Sequence, residues 1–169
     1  MENTDSTCNQ KSFRKLYEHH SDALRNFIYY KSGDTGFAED TVQESFLRLW
    51  KKCASVPFEK AKSFLFTVAN NLLLDKIKHQ KVQLKFLSHP QKKSSVETPE
   101  FIMEEEEFRQ KLEAAINSLT EEQRTVFLMN RIDKMKYREI AEALGISQKA
   151  VEKRMHKALV KLRASIGNV

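Results

Sequence analysis

Four glycines and three prolines are all that 169 residues contain, too few to supply the tight turns that a sheet of β-hairpins needs. Such a chain is expected to travel in helices, and its apolar residues recur at the matching interval. Phe13, Leu16, Tyr17, His20, Leu24, Phe27 and Ile28 keep to one helical face up to Lys31, and Ser32-Gly33-Asp34 supplies a stop. A second helix is expected from near Ala38, with Val42, Phe46, Leu49 and Cys53 in one stripe, Leu47 and Trp50 beside it, and Pro57 beyond its end. A third starts near Lys62 and runs through Leu65, Val68, Ala69, Leu72, Leu73 and Ile77. Three helices of this kind bury their stripes in one small bundle.

The periodicity then fails. From Gln83 to about Pro99 the chain is rich in Lys, Ser, Gln and Pro, the composition of a flexible linker. Charge is segregated around it: six lysines and no acid between Lys76 and Lys93, then six glutamates and no base from Glu97 to Glu107. With its acidic continuation, a linker of about 20 residues at about 3.3 Å each spans at most about 65 Å. That is nearly two turns of duplex DNA. Periodicity resumes with Phe108, Leu112, Ala115, Ile116 and Leu119. Thr120 and Gln123 have capping-box spacing, opening a helix through Val126, Phe127 and Asn130, and two more helices are expected over Tyr137–Leu144 and from Ser147 to Ile166. The expected fold is all-α: a disordered tail over 1–11, a helical domain over 12–82, a flexible linker over 83–104 and a helix-turn-helix domain over 105–169.

The last two helices carry the strongest local pattern. In REIAEALGISQKAVEKRM, Ala141 is small where helices cross, Gly145 can take the positive φ of a turn, Ser147 can cap, and Val151 can plug the second helix onto the first. Met155, Ala158, Leu159 and Leu162 fall on the side of Val151, and Lys149, Lys153, His156 and Lys157 on the other. An amphipathic helix with a solvated lysine face would share that distribution. The glycine, the cap and the small residue together favour DNA binding, with Gln148, Lys149, Glu152, Lys153 and Lys157 in the major groove and Arg154 or Lys161 nearer phosphates. Glu152 could accept from a cytosine amino group or tie down a lysine. A net charge of +6 suits a polyanionic partner.

Other groups are less specific. Asp40, Gln43 and Glu44 form an acid and amide edge on a basic chain, a candidate protein-binding surface. Asn70 and Asn71, read alone, are a solvated face as readily as a binding one. His19, His20, His79 and His89 show no metal-ligand spacing, and no Ser/His/Asp set is evident, so an enzyme acting on nucleic acid is disfavoured. A dimeric repressor or activator is the other alternative. Cys8 and Cys53 are the only cysteines. Cys8 sits in a polar tail with nothing to pack against, so no structural disulfide is expected and a reducing cytoplasm is. No leader or membrane-spanning stretch is evident.

Three segments, in order, resemble one family. AEDTVQESFLRLW is similar to region 2.2 of the extracytoplasmic-function (ECF) sigma factors of bacterial RNA polymerase, KSFLFTVANNLLLDKIK to their regions 2.3 and 2.4, and INSLTEEQRTVFLMNRIDKMKYREIAEALGISQKAVEKRMHKALVKLR to region 4. The resemblance covers about Phe13 to Leu162. It implies a protein that binds core RNA polymerase and directs promoter-specific initiation, without cofactor or metal. Asp40, Gln43, Glu44 and Arg48 would dock on the coiled coil of the polymerase clamp. Lys60, Lys62, Ser63, Phe64, Asn70 and Asn71 would form the loop and pocket for a base flipped from the non-template strand of the minus-10 element, with Lys76 and Lys78 on the backbone. Ser147, Gln148, Lys149, Glu152, Lys153, Arg154 and Lys157 would read the minus-35 duplex, and the first helices of region 4 would hold the polymerase flap tip. The run Glu104–Glu107 would mimic nucleic acid near the RNA exit path or simply favour the dipole of the helix that follows. Phe64 stands where the family usually has Trp, Asn70 where Arg is common, and Ala150 where Thr commonly follows the cap, which bears on base preference. Control is expected from outside the chain, by an anti-sigma factor.

Overall fold

The computed structural model describes residues 6–76 and 99–167. Seven α-helices and one 3-10 turn make up the described residues: α1 (Gln10–Ser32), α2 (Thr35–Lys51), the 3-10 turn (Phe58–Lys60), α3 (Ala61–Lys76), α4 (Pro99–Ser118), α5 (Glu121–Arg131), α6 (Tyr137–Leu144) and α7 (Gln148–Ile166). Local chemistry accounts for most boundaries. Asn9 caps α1 by accepting from the Lys11 and Ser12 amides. Gly33, at φ 68°, closes the helix in the left-handed region, and its N–H donates to the Tyr29 carbonyl. Asp34 caps α2 through the Phe37 amide, which starts that helix three residues before Ala38. The Thr120–Gln123 capping box forms in both directions at 3.3 Å.

The N-terminal unit packs α1, α2 and α3 around Leu24, Phe27, Ile28, Val42, Phe46, Leu49, Leu65, Phe66 and Leu73, all buried. Each such side chain contributes about 1.5–3 kcal/mol relative to an exposed one. The C-terminal unit packs α4 to α7 around Ile116, Leu119, Val126, Leu128, Met129, Ile140, Val151, Met155 and Leu162.

Three expectations need correction. Cys8 and Cys53 form a disulfide, and residues 6–11 of the expected disordered tail are ordered. The reason lies in Thr7, which is only 1% exposed: its hydroxyl lies 2.6 Å from the Cys53 carbonyl and 2.8 Å from that of Val56. A polar segment thus finds its partners in the backbone beyond α2, not in an apolar surface. At the other boundary, α4 begins at Pro99, so residues 99–104 of the expected linker are helical, and Glu104–Glu107 lie within the helix. Glu106 is tied there to Arg109 at 2.7 Å and is held down to a pKa of about 2 by hydrogen bonds from Arg109 and Gln110. Ile77, Lys78, His79, His89 and the expected linker from 83 to 98 lie outside the described residues.

The two units are docked on each other, α1 against α5 and α3 against α6. Arg124 of α5, 4% exposed, donates from Nε to the Tyr30 carbonyl at 3.2 Å. A carbonyl in the last turn of a helix has no intrahelical partner, and a cation there also suits the dipole. Asn26 donates to Asp133 Oδ1 at 2.6 Å, and Lys31 pairs with Glu121 at 3.1 Å.

Candidate nucleic-acid interface

The C-terminal candidate is built by one turn. The chain leaves α6 at Gly145, whose φ of 64° is open to glycine at little steric cost. The Ile146 amide reaches back to the Ala141 carbonyl at 3.0 Å, and the Ser147 hydroxyl caps α7 by accepting from the Ala150 amide at 3.2 Å. Val151, Met155, Ala158 and Leu162 are buried, so Gln148, Lys149, Glu152, Lys153, His156 and Lys157 are left exposed. Glu152 is held by Gln148 Nε2 at 3.1 Å, not by a lysine. Two cations expected near phosphates are otherwise engaged. Arg154 turns back to Glu122 at 2.8 Å, and the Lys161 ammonium donates to the Ser118 carbonyl at the end of α4.

The residues assigned by resemblance to a second, single-stranded site do not all share a surface. On α3, Ser63, Asn70 and Asn71 flank exposed Thr67 at helical spacing, with Lys60 and Lys62 at the N-terminal end. Phe64 is half-buried against the core. Lys76 points elsewhere: it stands 3.5 Å from Asp34 Oδ2 and over the Phe37 ring, 4.0 Å from its centroid. Thr67, Asn70 and Asn71 open into a cleft of about 340 Å³ whose far wall is Glu121, Glu122 and Arg154 of the C-terminal unit. Lys31 donates to Asn70 Oδ1 at 2.7 Å inside it. Lys62 reaches across to the Glu139 carbonyl at 3.5 Å. In this docked arrangement the C-terminal unit walls one side of the candidate face of α3, and Thr67 and Asn71 stay exposed.

On α2, Asp40 and Gln43 are exposed and Glu44 pairs with Arg48 at 2.6 Å. Sequence reading set Leu47 beside the buried stripe and gave it no place on this edge, yet it is 46% exposed in its midst. Its position, seven residues from Asp40 and four from Gln43, was the available signal. Trp50 is also exposed, with its ring edge-on to Phe13 at 5.0 Å.

Asp133, in the turn after α5, is strongly perturbed between the units. Burial raises its carboxyl to about 6, aided by Asp22 and opposed by the hydrogen bonds of Asn26 and Tyr30. Its Oδ2 and the Tyr30 hydroxyl are both buried without a well-formed hydrogen bond, and burial beside Asp133 pushes the Tyr30 phenol up. Burial also lowers His20, with Lys62 adding to the effect. Among the described residues, no helix is long and apolar enough to cross a membrane.

Residues 16–82 match the family model described as Sigma-70 region 2, and residues 109–162 match that of Sigma-70, region 4. Over 161 residues the chain is 26% identical to the ferric citrate uptake sigma factor FecI of Escherichia coli K12, covering 94% of this chain and 93% of that one. It is 27% identical over 155 residues to the ECF RNA polymerase sigma factor SigE of Mycolicibacterium smegmatis, covering 90% of this chain and 60% of the relative. Two solved structures share the fold: CnrH in complex with the cytosolic domain of CnrY, and RpoE of Bartonella quintana in complex with the anti-sigma factor NepR. Both have a TM-score of 0.61 and cover 92% of this chain, with 88% and 97% of the other chain covered at 23% and 21% identity.

Proposed function

The chain belongs to the sigma-70 family as an ECF sigma factor, and from that premise we propose how its surfaces divide the work of promoter-specific initiation. The α2 edge of Asp40, Gln43, Glu44 and Arg48 docks on the clamp coiled coil of core RNA polymerase. There Leu47 serves as the apolar centre that a polar rim seals from water. Helix α7 reads the minus-35 duplex, with Gln148, Lys149, Glu152, Lys153 and Lys157 toward base edges and phosphates and Ser147 fixing the start of the helix. The loop after α2, with Lys60, Lys62, Ser63, Phe64, Asn70 and Asn71, takes the melted minus-10 strand, with Lys78 on its backbone and Lys76 joining once it leaves Asp34. Arg154 joins the DNA contacts once it leaves Glu122. Residues 12–82 and 105–169 are the two working domains, the second extended back to Pro99 by α4.

One observation carries this reading. A helix-turn-helix with an exposed lysine face follows, in the same chain, a three-helix unit matching region 2. Docking of the two units sets Glu121 and Glu122 across the cleft from Asn70 and Asn71, so in this reading promoter opening requires that they part, and polymerase supplies the energy by binding both. An anti-sigma factor acts in the opposite sense, by holding the chain away from polymerase. The protein works in the cytoplasm, where polymerase and promoter are, and carries out no reaction of its own.

The test is reconstitution. Added to core polymerase, the chain should support run-off transcription from a promoter with both elements. Asp40→Ala with Gln43→Ala should weaken polymerase binding while leaving the C-terminal fold intact. Failure to bind core polymerase in a pull-down would refute the reading.

A further inference from the structure

The segment Ser6–Asn9 lies ahead of the region 2 match, which begins at residue 16, yet it is fastened to the loop that leads into α3. Cys8 is bonded to Cys53 at the start of that loop. Thr7 stands within hydrogen-bond distance of the carbonyls of Cys53 and Val56, at 2.6 and 2.8 Å, so its single hydroxyl proton serves both oxygens in turn. The Ser55 hydroxyl donates to the Lys52 carbonyl at 3.0 Å, and the Lys60 amide to the Pro57 carbonyl at 3.0 Å. Ser6, Thr7 and the stretch from Cys53 to Glu59 together line an open cleft of about 400 Å³. Between the end of α2 and the 3-10 turn the loop has only single-turn backbone bonds of its own, from the Cys53 amide to the Trp50 carbonyl at 3.3 Å and from the Ser55 amide to the Lys52 carbonyl at 2.9 Å, so its shape depends on these ties as well as on those turns.

We propose that Thr7 and the Cys8–Cys53 pair position this loop for the melted minus-10 strand, so that the thiol state of the pair sets how tightly the strand is held. The proposal rests on the assignment of the loop and the start of α3 to the minus-10 element. A preorganised loop meets its ligand without losing further conformational freedom on binding, whereas a loosened one must be ordered at that moment. Thr7 is a positioning residue: it acts on the strand through the Cys53 and Val56 carbonyls. Minus-35 recognition by α7 and docking through α2 use other surfaces, so they should be indifferent to the pair.

The chemistry balances with small thiols and disulfides as co-reactants. Cys8 is exposed and Cys53 half-buried, so an incoming thiolate attacks the Cys8 sulfur, the S–S bond breaks, and Cys53 leaves as a thiolate that takes up a proton. A second thiol then displaces Cys8 from the mixed disulfide. The pair has gained two electrons and two protons, and two thiols have become one low-molecular-weight disulfide. Oxidation by such a disulfide is the reverse.

The full-length chain on core polymerase provides the test. The probe is a fluorescent non-template strand from a promoter that this holoenzyme transcribes, titrated after treatment with glutathione disulfide or with a phosphine reductant. The bond state is read by alkylation and mass. Oxidised wild type should bind the strand about tenfold more tightly than reduced wild type. Cys8→Ser should match reduced wild type in both buffers, and oxidised Thr7→Val should fall between. Affinity for core polymerase and for minus-35 duplex should change less than about twofold throughout. Equal binding by oxidised and reduced wild type, tighter binding by the reduced form, or a redox response surviving in Cys8→Ser would overturn the positioning role alone. Absence of strand binding in either state, with core polymerase and minus-35 duplex still bound, would overturn the minus-10 assignment and this proposal with it.

Discussion

Replacing Asp133 with Asn should tighten the docking of the two units, and the size of the effect follows from the site. The Asp133 carboxyl lies between the units, takes one hydrogen bond from Asn26 at 2.6 Å, and leaves its second oxygen buried near the Tyr30 hydroxyl without a well-formed hydrogen bond. Burial raises its pKa to about 6 from an ordinary 3.8, with Asp22 adding to the rise and Asn26 and Tyr30 working against it. Once the units part, water reaches the carboxylate and the ordinary value returns. The docked form therefore binds more protons than the parted form between about pH 3.8 and 6. Its contribution to docking is fully present below that window and is lost as pH rises through 6. At about 1.36 kcal/mol per pH unit, holding the ionised group in place near pH 7.5 costs at most about 3 kcal/mol. Solvent reaching this half-buried side chain reduces that to about 1–3 kcal/mol.

An asparagine at 133 keeps the acceptor for Asn26, offers an amide donor toward the Tyr30 oxygen, and carries no charge. Opening free energies from hydrogen exchange of α3 and α5 amides, corrected for intrinsic rates, read the change. At pH 7.5, Asp133→Asn should slow exchange by about 5- to 100-fold relative to wild type. At pH 5 the gap should fall to roughly half in free energy, because wild type is then largely protonated when docked. A gap that stays constant between these pH values, or a variant that opens more readily than wild type, would refute the argument.

Three further outcomes are expected. Gly145→Ala should destabilise the C-terminal unit by about 1–2 kcal/mol in thermal denaturation, a purely conformational penalty, because φ is +64° and nothing lies within 4 Å of the added methyl. Lys153→Ala or Lys157→Ala should reduce the salt dependence of minus-35 binding by about one phosphate contact each, a change of about 0.9 in the slope of log K against log salt. Leu47→Ala should weaken core polymerase binding about tenfold, as loss of a small apolar anchor does, while circular dichroism stays unchanged because the side chain is 46% exposed.

The features that sequence reading anticipated are local ones. Gly33, Gly145, Ser147 and the Thr120–Gln123 box act within a few residues of themselves, so their spacing reveals both where they sit and what they do. The alternation along α7 likewise separates Val151 and Met155 from Lys149 and Lys153 without knowledge of the rest of the fold. What escaped depends on partners far along the chain. Arg124 reads as one more cation on a surface helix until the Tyr30 carbonyl, 94 residues away, is placed beside it. Thr7 and Cys8 read as polar tail because their partners are backbone carbonyls and a sulfur more than 40 residues distant. Arg154 and Lys161 lie at the margin of the lysine face, where helical spacing cannot distinguish a free cation from one turned toward α5 or α4.

The docking also bears on the basic charge of the chain. A protein with net charge +6 binds DNA of any sequence through its cations, and that competes with promoter search. In the docked form Lys31 of α1 is paired with Glu121 of α5 across the units, while Arg154–Glu122 and Lys76–Asp34 are pairs within one unit each, so docking itself neutralises one cation and the folded units two more. Under the proposed assignment, Glu121 and Glu122 stand in the cleft where the minus-10 strand would approach Asn70 and Asn71. Strand and carboxylates cannot occupy that cleft together, so the strand's apparent affinity is reduced by the fraction of chain that is parted. Under the same assignment, polymerase bound to α2 and to the C-terminal unit at once would raise that fraction without adding a single contact to the DNA. Weak DNA binding by the free chain and strong promoter binding by the holoenzyme are then expected to share one cause. That cause is the free energy of docking, which is the quantity the Asp133 substitution changes.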